Sequence, residues 1–272
     1  MIYTWKRNLL LYVLLLVSAI LVFFPVLYAF SIGFMTPDDI QKRHLFPSTF
    51  TFDNFVNVFR KVPLLTYLKN SFIVSATVMI GQLVVSSLAA YAFVFLKFKG
   101  RNLLFFLFIS TMLIPWEATM VPNFLMVQQF GWTNTLMGLT VPFFAVAFGI
   151  FLLRQHFLTV PHELREASMI EGVNHISFLF KVVIPYCKTS FVTLGVYGFL
   201  TTWNMYLWPL LVTNDETART VQIGIKQLQT QEVANDWGSV MAGITIVILP
   251  TLILLFVGQK QLQQGLTKGA IK

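Results

Sequence analysis

The sequence predicts an all-α integral membrane protein of six transmembrane helices, with N- and C-termini cytoplasmic and one long cytoplasmic loop between helices four and five. Three observations carry this. Of 272 residues, 56% are hydrophobic and only 11% charged, less than half the charge of an ordinary globular chain, and the mean hydropathy is +0.73. The charges fall between apolar intervals that reach the roughly 20 residues needed to cross a hydrocarbon core. Basic residues are unequally divided between alternate loops, as the orientation rule for membrane helices requires. This composition excludes disorder, a collagen-like chain and a disulfide scaffold. The single cysteine, Cys187, leaves no room for an intrachain disulfide or a cysteine-held metal cluster. The net charge of +8 sits in short clusters between apolar stretches, so it serves orientation in a bilayer and not contact with nucleic acid.

The spans follow in order. The first, residues 9–34, runs for roughly 25 residues from Leu9 without a small-x-small cleavage site, which marks a retained helix and not a signal peptide. The second and third, 70–96 and 103–126, are separated by Lys97, Lys99 and Arg101. The charge-free interval from Ala118 to Leu153 is divided at Gly131, Trp132 and Asn134, which starts a fourth span at 135–156. Glu117 then falls at the outer end of the third helix, since at the bilayer centre a carboxylate costs about 2.5–3.5 kcal/mol. The fifth and sixth spans are expected over 186–213 and 237–260. Twelve Lys and Arg then lie inside and seven outside, which places both ends in the cytoplasm. The whole chain, 1–272, reads as one transmembrane domain.

The inner loop, 157–185, is the only long cytoplasmic segment, and long polar segments on one side are where partners dock. Residues 161–172 read as a short helix with Pro161 at its first position and Gly172 as a left-handed stop. Asn174 caps a second short helix through His175, Phe178 and Lys181, and Pro185 marks the start of the fifth span. Leu164, Ala167 and Ile170 or Glu171 recur at helical spacing, while Glu163, Arg165 and Glu166 project elsewhere. Any amphipathic interfacial helix shares that pattern.

The order of residues in this loop is more specific. Glu166-Ala167-Ser168, then Gly172, then Val182, Ile184 and Pro185 resemble the EAA loop of the inner-membrane permease subunits of binding-protein-dependent ABC importers. Ser168 stands where that pattern has a second alanine, and serine is still small. The resemblance implies that the loop forms coupling helices seated in a groove of an ATPase subunit, with Glu163, Glu166, Ala167, Ser168, Gly172, Val182, Ile184 and Pro185 making up the coupling site. Further stretches are similar to the shorter partner of the maltose-transporter type of carbohydrate permease. These are Ala90 to Phe93, Phe98 to Asn102, Trp203 to Pro209, Asp236 to Gly238, Met241 to Gly243 and the tail Gly265-Leu266-Thr267-Lys268-Gly269-Ala270. The tail is by resemblance a second contact with the ATPase pair. Arg219 to Lys226 is more similar to the glycerol-3-phosphate permease.

No GxxxxGK[ST] phosphate loop occurs in the chain, so the sequence supplies no such site for ATP. The chain is expected to be no enzyme and to bind no cofactor, with ATP and Mg on partner ATPase subunits. The partners implied are a second permease subunit, an ATPase dimer, an extracytoplasmic solute-binding protein, the lipid bilayer and a small-molecule substrate of carbohydrate or glycerol-phosphate type. The location implied is the cytoplasmic membrane of a bacterium or archaeon.

Pathway candidates are Trp203, Asn204 and Tyr206, which pair hydrogen-bonding groups with flat aromatic faces, and Gln82 and Tyr91 on the second helix. Two plainer roles stand beside this one: Trp and Tyr also anchor helices at membrane interfaces, and a buried polar side chain also joins two helices. His44, His156, His162 and His175 lack metal-site spacing, and no metal is expected. A secondary carrier or channel driven by an ion gradient is the alternative. It would show ionisable residues within its spans and internal repeats, whereas apart from Glu117 near a helix end no charge is embedded in the membrane and no repeat recurs at an obvious period.

Overall fold

The structure is a computed structural model that describes residues 2–231 and 236–267. Among the described residues it is mostly helical, with no strand. In chain order the α-helices are α1 (Ile2–Gly33), α2 (Pro37–Gln41), α3 (Asp53–Lys61), α4 (Leu64–Phe95), α5 (Arg101–Ser110), α6 (Trp116–Gln129), α7 (Leu136–Thr140), α8 (Ala147–Phe157), α9 (His162–Ile170), α10 (His175–Phe178), α11 (Ile184–Tyr186), α12 (Lys188–Trp203), α13 (Leu207–Val212), α14 (Val221–Gln231) and α15 (Trp237–Thr267).

Three helices are individually long and apolar enough to cross a membrane, over Asn8–Gly33, Leu64–Phe95 and Trp237–Lys260. Three bent pairs bring the count to as many as six: Arg101–Leu113 with Trp116–Gln129 at 101°, Leu136–Phe143 with Ala147–Phe157 at 48°, and His175–Tyr186 with Lys188–Trp203 at 86°. The first bend has a covalent cause. Ile114 is extended (φ −88°, ψ 115°), the conformation that the following Pro115 ring imposes. The helix ends also differ from those expected. α4 begins at Leu64, ahead of 70, because Leu64 and Tyr67 are buried while Lys69 rides on an exposed face. The expected 186–213 span is interrupted between Trp203 and Leu207, so its last part is the separate α13.

The chain divides into two compact units, Met1–Leu65 with Gly224–Leu249, and Thr66–Ile223 with Pro250–Lys272. In the first, no part of the apolar window of α1 is buried against the chain. A helix that is apolar all round and unburied has to be covered by lipid or by another chain. Asn54 on α3 donates through Nδ2 to Gly33 O (3.1 Å) and Met35 O (2.8 Å), which fixes the end of α1. Gly238 permits this, since a Cβ there would stand 2.5 Å from Asn54 Oδ1. Asp39 is buried and accepts from Ser48 Oγ (2.6 Å) and Thr36 Oγ1 (2.9 Å). Those hydrogen bonds, the Ser48 hydroxyl foremost, hold its carboxyl well below the usual carboxylate range. Lys61 Nζ meets Asp236 Oδ2 at 2.6 Å, and Asp236 in turn accepts from Ser239 N and Oγ at the start of α15.

In the second unit α4 presents a buried stripe of Ser71, Ser75, Gln82 and Ser86, at spacings that return to one helix face. Small or absent side chains opposite let helices approach. A Cβ on Gly149 would crowd Ser86 Oγ, and one on Gly198 would overlap Gln82 Oε1. Gln82 Nε2 donates to Phe143 O at 3.0 Å, and Ser71 Oγ accepts from Val221 N at 2.8 Å. Close packing around small residues, with a few polar bonds, is how helices associate where water supplies no hydrophobic drive. One apolar core forms around Tyr91, Phe95, Phe157, Phe178 and Val183, and a second around Val74, Val127, Leu139, Trp208 and Val212.

Candidate functional site

The segment from Pro161 to Tyr186 folds as a short helix, a glycine turn and a second short helix. α9 starts one residue after Pro161, whose φ of −58° and ψ of 139° put it at the cap instead of inside the first turn. Gly172 has φ +70°, a conformation in which a side chain would be strained. Around it Val173 N donates to Ser168 O (2.9 Å) and Gly172 N to Met169 O (3.1 Å), the crossed pair of bonds that closes a helix C-terminus. Asn174 Oδ1 accepts from Ser177 N at 2.8 Å, capping α10 as its sequence position requires. The chain then widens. Ile184 N reaches back to Leu179 O, five residues instead of four, so Leu179–Val183 form a single π turn before the 86° bend into α12.

α9 has two faces. Glu163, Glu166, Ala167 and Ile170 stand at i, i+3, i+4 and i+7, and all four are exposed, Ile170 at 88% of its surface. Met169 beside them is 65% exposed. Arg165 and Ser168 turn the other way. Ser168 is 8% exposed and donates to Leu164 O at 2.8 Å. Arg165 Nη2 donates to Phe95 O at 2.7 Å, with the guanidinium 5.7 Å above the Phe95 ring. The last turn of α4 has carbonyls with no partner in the helix, so this bond serves both sides: a charge-assisted donor meets an orphan acceptor. A second tie joins Tyr91 Oη and His175 Nδ1 at 2.8 Å. Tyr91, Arg165, Met169, Gly172, His175 and Phe178 line a 320 Å³ cavity between α4 and the loop. Of the remaining loop residues singled out by sequence, Val182 and Ile184 are half-buried against the core and Pro185 is exposed.

The other candidates fall elsewhere. Gln82 lies buried between α4 and Phe143 O, and Tyr91 lies against the loop. Trp203 ends α12, buried and stacked on Phe199 (5.8 Å, 15°). Asn204 caps that helix from outside, exposed, with Nδ2 donating to Leu200 O at 2.8 Å; Tyr206 precedes α13 and is half-buried. Gly265, Leu266 and Thr267 lie on the last turns of α15, and Lys268, Gly269 and Ala270 lie outside the described residues. His44 Nδ1 sits 3.1 Å from Asp39 Oδ1 and His156 Nδ1 3.0 Å from Leu152 O. Among the described residues no three His, Cys, Asp or Glu gather as a metal site.

Sequence reasoning passed over Arg165 and His175 as clamps, because their partners are 70 and 84 residues away. It also passed over the exposure of Met169. The only signal available was Ile170, which shares the face of Ala167.

Apolar helices, straight and sharply bent, with one short helical hairpin clamped to the end of α4, define a multi-span membrane protein. The chain belongs to the binding-protein-dependent transport system inner membrane component family, whose model matches residues 82–268. It is 32% identical over 277 residues to the sn-glycerol-3-phosphate transport system permease protein UgpE of Brucella suis, with 96% of each chain covered. To the protein of the same name from Yersinia pestis it is 30% identical over 264 residues, with 94% of each covered. A bacterial ABC transporter involved in the import of the acidic polysaccharide alginate has the same fold, with a TM-score of 0.84 at 24% identity over 94% of this chain and 96% of that one. The alginate transporter solved in complex with an alginate pentasaccharide-bound periplasmic protein gives 0.66 at 18% identity, with 93% of each covered.

Proposed function

We propose that this chain is one permease subunit of an ATP-driven importer for a carbohydrate or glycerol-phosphate-type solute in the cytoplasmic membrane of a bacterium. Each bent pair then contributes one span, the third of them from its Lys188–Trp203 part, which gives a single transmembrane domain of six spans with both termini in the cytoplasm. A second permease subunit completes the pathway. The bare surface of α1 supports such a neighbour as well as lipid. An extracytoplasmic binding protein delivers the solute, and two ATPase subunits hold the ATP and Mg that this chain does not. The relatives at 30–32% identity are named for glycerol 3-phosphate, which favours a small phosphorylated polyol over a long sugar.

One observation carries the coupling role. The outward stripe Glu163, Glu166, Ala167 and Ile170 is a free docking face, while the opposite side of the same helix is tied to α4 by Arg165 and, through the turn, by His175. A force applied to that stripe is delivered to the end of a long membrane helix. The spans then exchange between inward-open and outward-open arrangements, which is alternating access between two states that the partner's closure biases differently. Glu166 and Ala167 supply the polar and close-fitting parts of the contact, and Gly172 holds the hairpin's angle.

The test is reconstitution with the co-purified permease, ATPase and binding protein in liposomes, followed by ATP-dependent uptake of labelled sn-glycerol 3-phosphate and of maltose oligosaccharides. Glu166→Ala and Gly172→Val should lower uptake while the subunit remains inserted. Uptake without ATP or ATPase would establish the secondary carrier instead. Normal uptake and substrate-stimulated hydrolysis in both variants would remove the loop from the coupling role.

A further inference from the structure

The turn from α4 into α5 forms a cavity of 510 Å³ lined by Lys97, Phe98, Gly100, Arg101, Asn102 and Leu103, and transport as proposed makes no use of it. Its charge has one sign. The sequence has no Asp or Glu between Asp53 and Glu117, and none between Glu117 and Glu163. Among the described residues no carboxylate pairs with Lys97, Lys99, Arg101 or Arg154. Arg154 lies 4.0 Å above the Phe105 ring, one turn along α5 from Arg101, with its Nε buried and unpartnered. The Gly100 position, at φ +81°, gives the first turn of α5 no side-chain cap, so no resident acceptor competes there for an anion.

The surroundings are as informative as the charge. Phe98, Leu103, Leu104, Phe106 and Leu107 are all exposed on the same turn and the helix that leaves it. A free anion has no use for such a wall. An amphiphile needs both a basic floor for its headgroup and an apolar face for its chains, and basic pockets at helix ends on the cytoplasmic side hold anionic lipid headgroups in this way. The volume is in the range of ordinary small-ligand clefts.

We propose that the α4–α5 turn binds the phosphate headgroup of an anionic phospholipid, with Lys97, Lys99 and Arg101 on the headgroup and the acyl chains along the exposed face of α5. This rests on membrane embedding alone, and its test involves no transport, so either reading can fail without the other. The full chain is placed in nanodiscs of phosphatidylcholine and of phosphatidylcholine with phosphatidylglycerol, then released into mild detergent, and the lipid retained per chain is counted by native mass spectrometry.

Phosphatidylglycerol should be retained preferentially. Lys97→Gln/Lys99→Gln/Arg101→Gln should weaken retention by about fivefold per cation removed. Lys181→Gln/Lys188→Gln should leave it unchanged, and the charge-conserving Lys97→Arg/Lys99→Arg should retain lipid as the wild type does. Equal retention of both lipids, or wild-type retention by the triple variant, would overturn the proposal. An equal loss in the Lys181/Lys188 control would reduce it to unspecific surface charge and overturn it too. Inorganic phosphate titrated into the wild-type chain should not displace the lipid. If it does, the site belongs to a soluble anion. The lipid comparison and the phosphate titration both use the wild type, so they decide the matter even if the triple variant fails to fold.

Discussion

Substituting Gly198 by Ala tests the packing of α4 against α12 at a single atom. The new Cβ would fall inside the 3.0 Å that such atoms essentially never enter, against Gln82 Oε1, with Gln82 Cδ at 3.3 Å and Met79 Cα at 3.6 Å. Only the carboxamide has to give way. Turning it costs the 3.0 Å bond from Nε2 to Phe143 O, a net loss of about 0.5–1.5 kcal/mol, and leaves buried polar groups without partners at about 1–3 kcal/mol. Against this stands the better helix propensity of alanine, up to about 1 kcal/mol. The loss wins by about 1–2 kcal/mol, a fall of roughly 2–8 °C in melting temperature for a chain of this size. The assay is thermal unfolding in detergent, followed by fluorescence-detected size exclusion. Gln82→Ala removes the obstacle, so Gln82→Ala/Gly198→Ala should be no less stable than Gln82→Ala alone. A Gly198→Ala variant as stable as the wild type, or additive losses in the double variant, would refute the reasoning.

Arg165→Ala removes a charge-assisted bond of about 1.5–3 kcal/mol between the loop and α4. Proteolysis within residues 161–175 should accelerate and ATP-driven uptake should fall while the protein stays inserted; Arg165→Lys, with one point donor in place of a fork, should rescue only in part. Unchanged cleavage and uptake in Arg165→Ala would show that the clamp is dispensable. For the Asp39 turn the sign follows from a carboxyl held below its ordinary value of about 4. Its contribution is complete above that value and is lost as pH falls through the lower folded one. Protease resistance of residues 36–48 should therefore stay level from pH 7 to about pH 4.5 and decline only in stronger acid. Asp39→Asn should show the loss already at neutral pH, and a decline beginning near pH 6 in the wild type would contradict the assignment.

The apolar spans were legible because charge is excluded from a bilayer core, and that exclusion is written directly in the sequence. Their ends were less so. Lys69 looked like a boundary, yet it sits within α4, since one charge on an exposed face near a helix end is tolerated. Pro115 showed its effect through a rule that acts on the preceding residue, and the bend at Cys187 follows Pro185 by two residues, where the sequence already placed the start of the fifth span. In the loop, Gly172 and Asn174 were readable because a left-handed stop and an N-cap are local chemistry. The inward turn of Ser168 against the outward turn of Met169 was not. Which side of a short helix faces inward is decided by Phe95 and Tyr91, far away in the chain. Polar residues within spans are the hardest to read, since Gln82 serves equally well by spacing as pathway lining or as a bond between helices.

The two attachments of the loop differ in stiffness, and that difference makes a last prediction. On the α4 side Arg165 caps Phe95 O, and Arg101 Nη1 approaches Leu96 O at 3.3 Å, so the free carbonyls of the helix end are occupied and the joint is rigid. On the α12 side the chain passes through the π turn at Leu179–Val183 and then the 86° bend. A π turn is an α-helix with one residue too many, and it holds the faces on either side in register while weakening the ladder between them. Removing the exposed Lys181 should restore α-helical register, leaving Leu179 and Val183 on the core side and stability within about 0.5 kcal/mol of the wild type. What it removes is compliance. If the loop transmits motion by pivoting there, uptake at saturating ATP should drop by at least about tenfold, a coupling loss of about 1.4 kcal/mol, with ATPase subunits still bound. Full uptake by the deletion variant would show that the pivot lies elsewhere, and loss of folding would show that the extra residue is needed for packing instead.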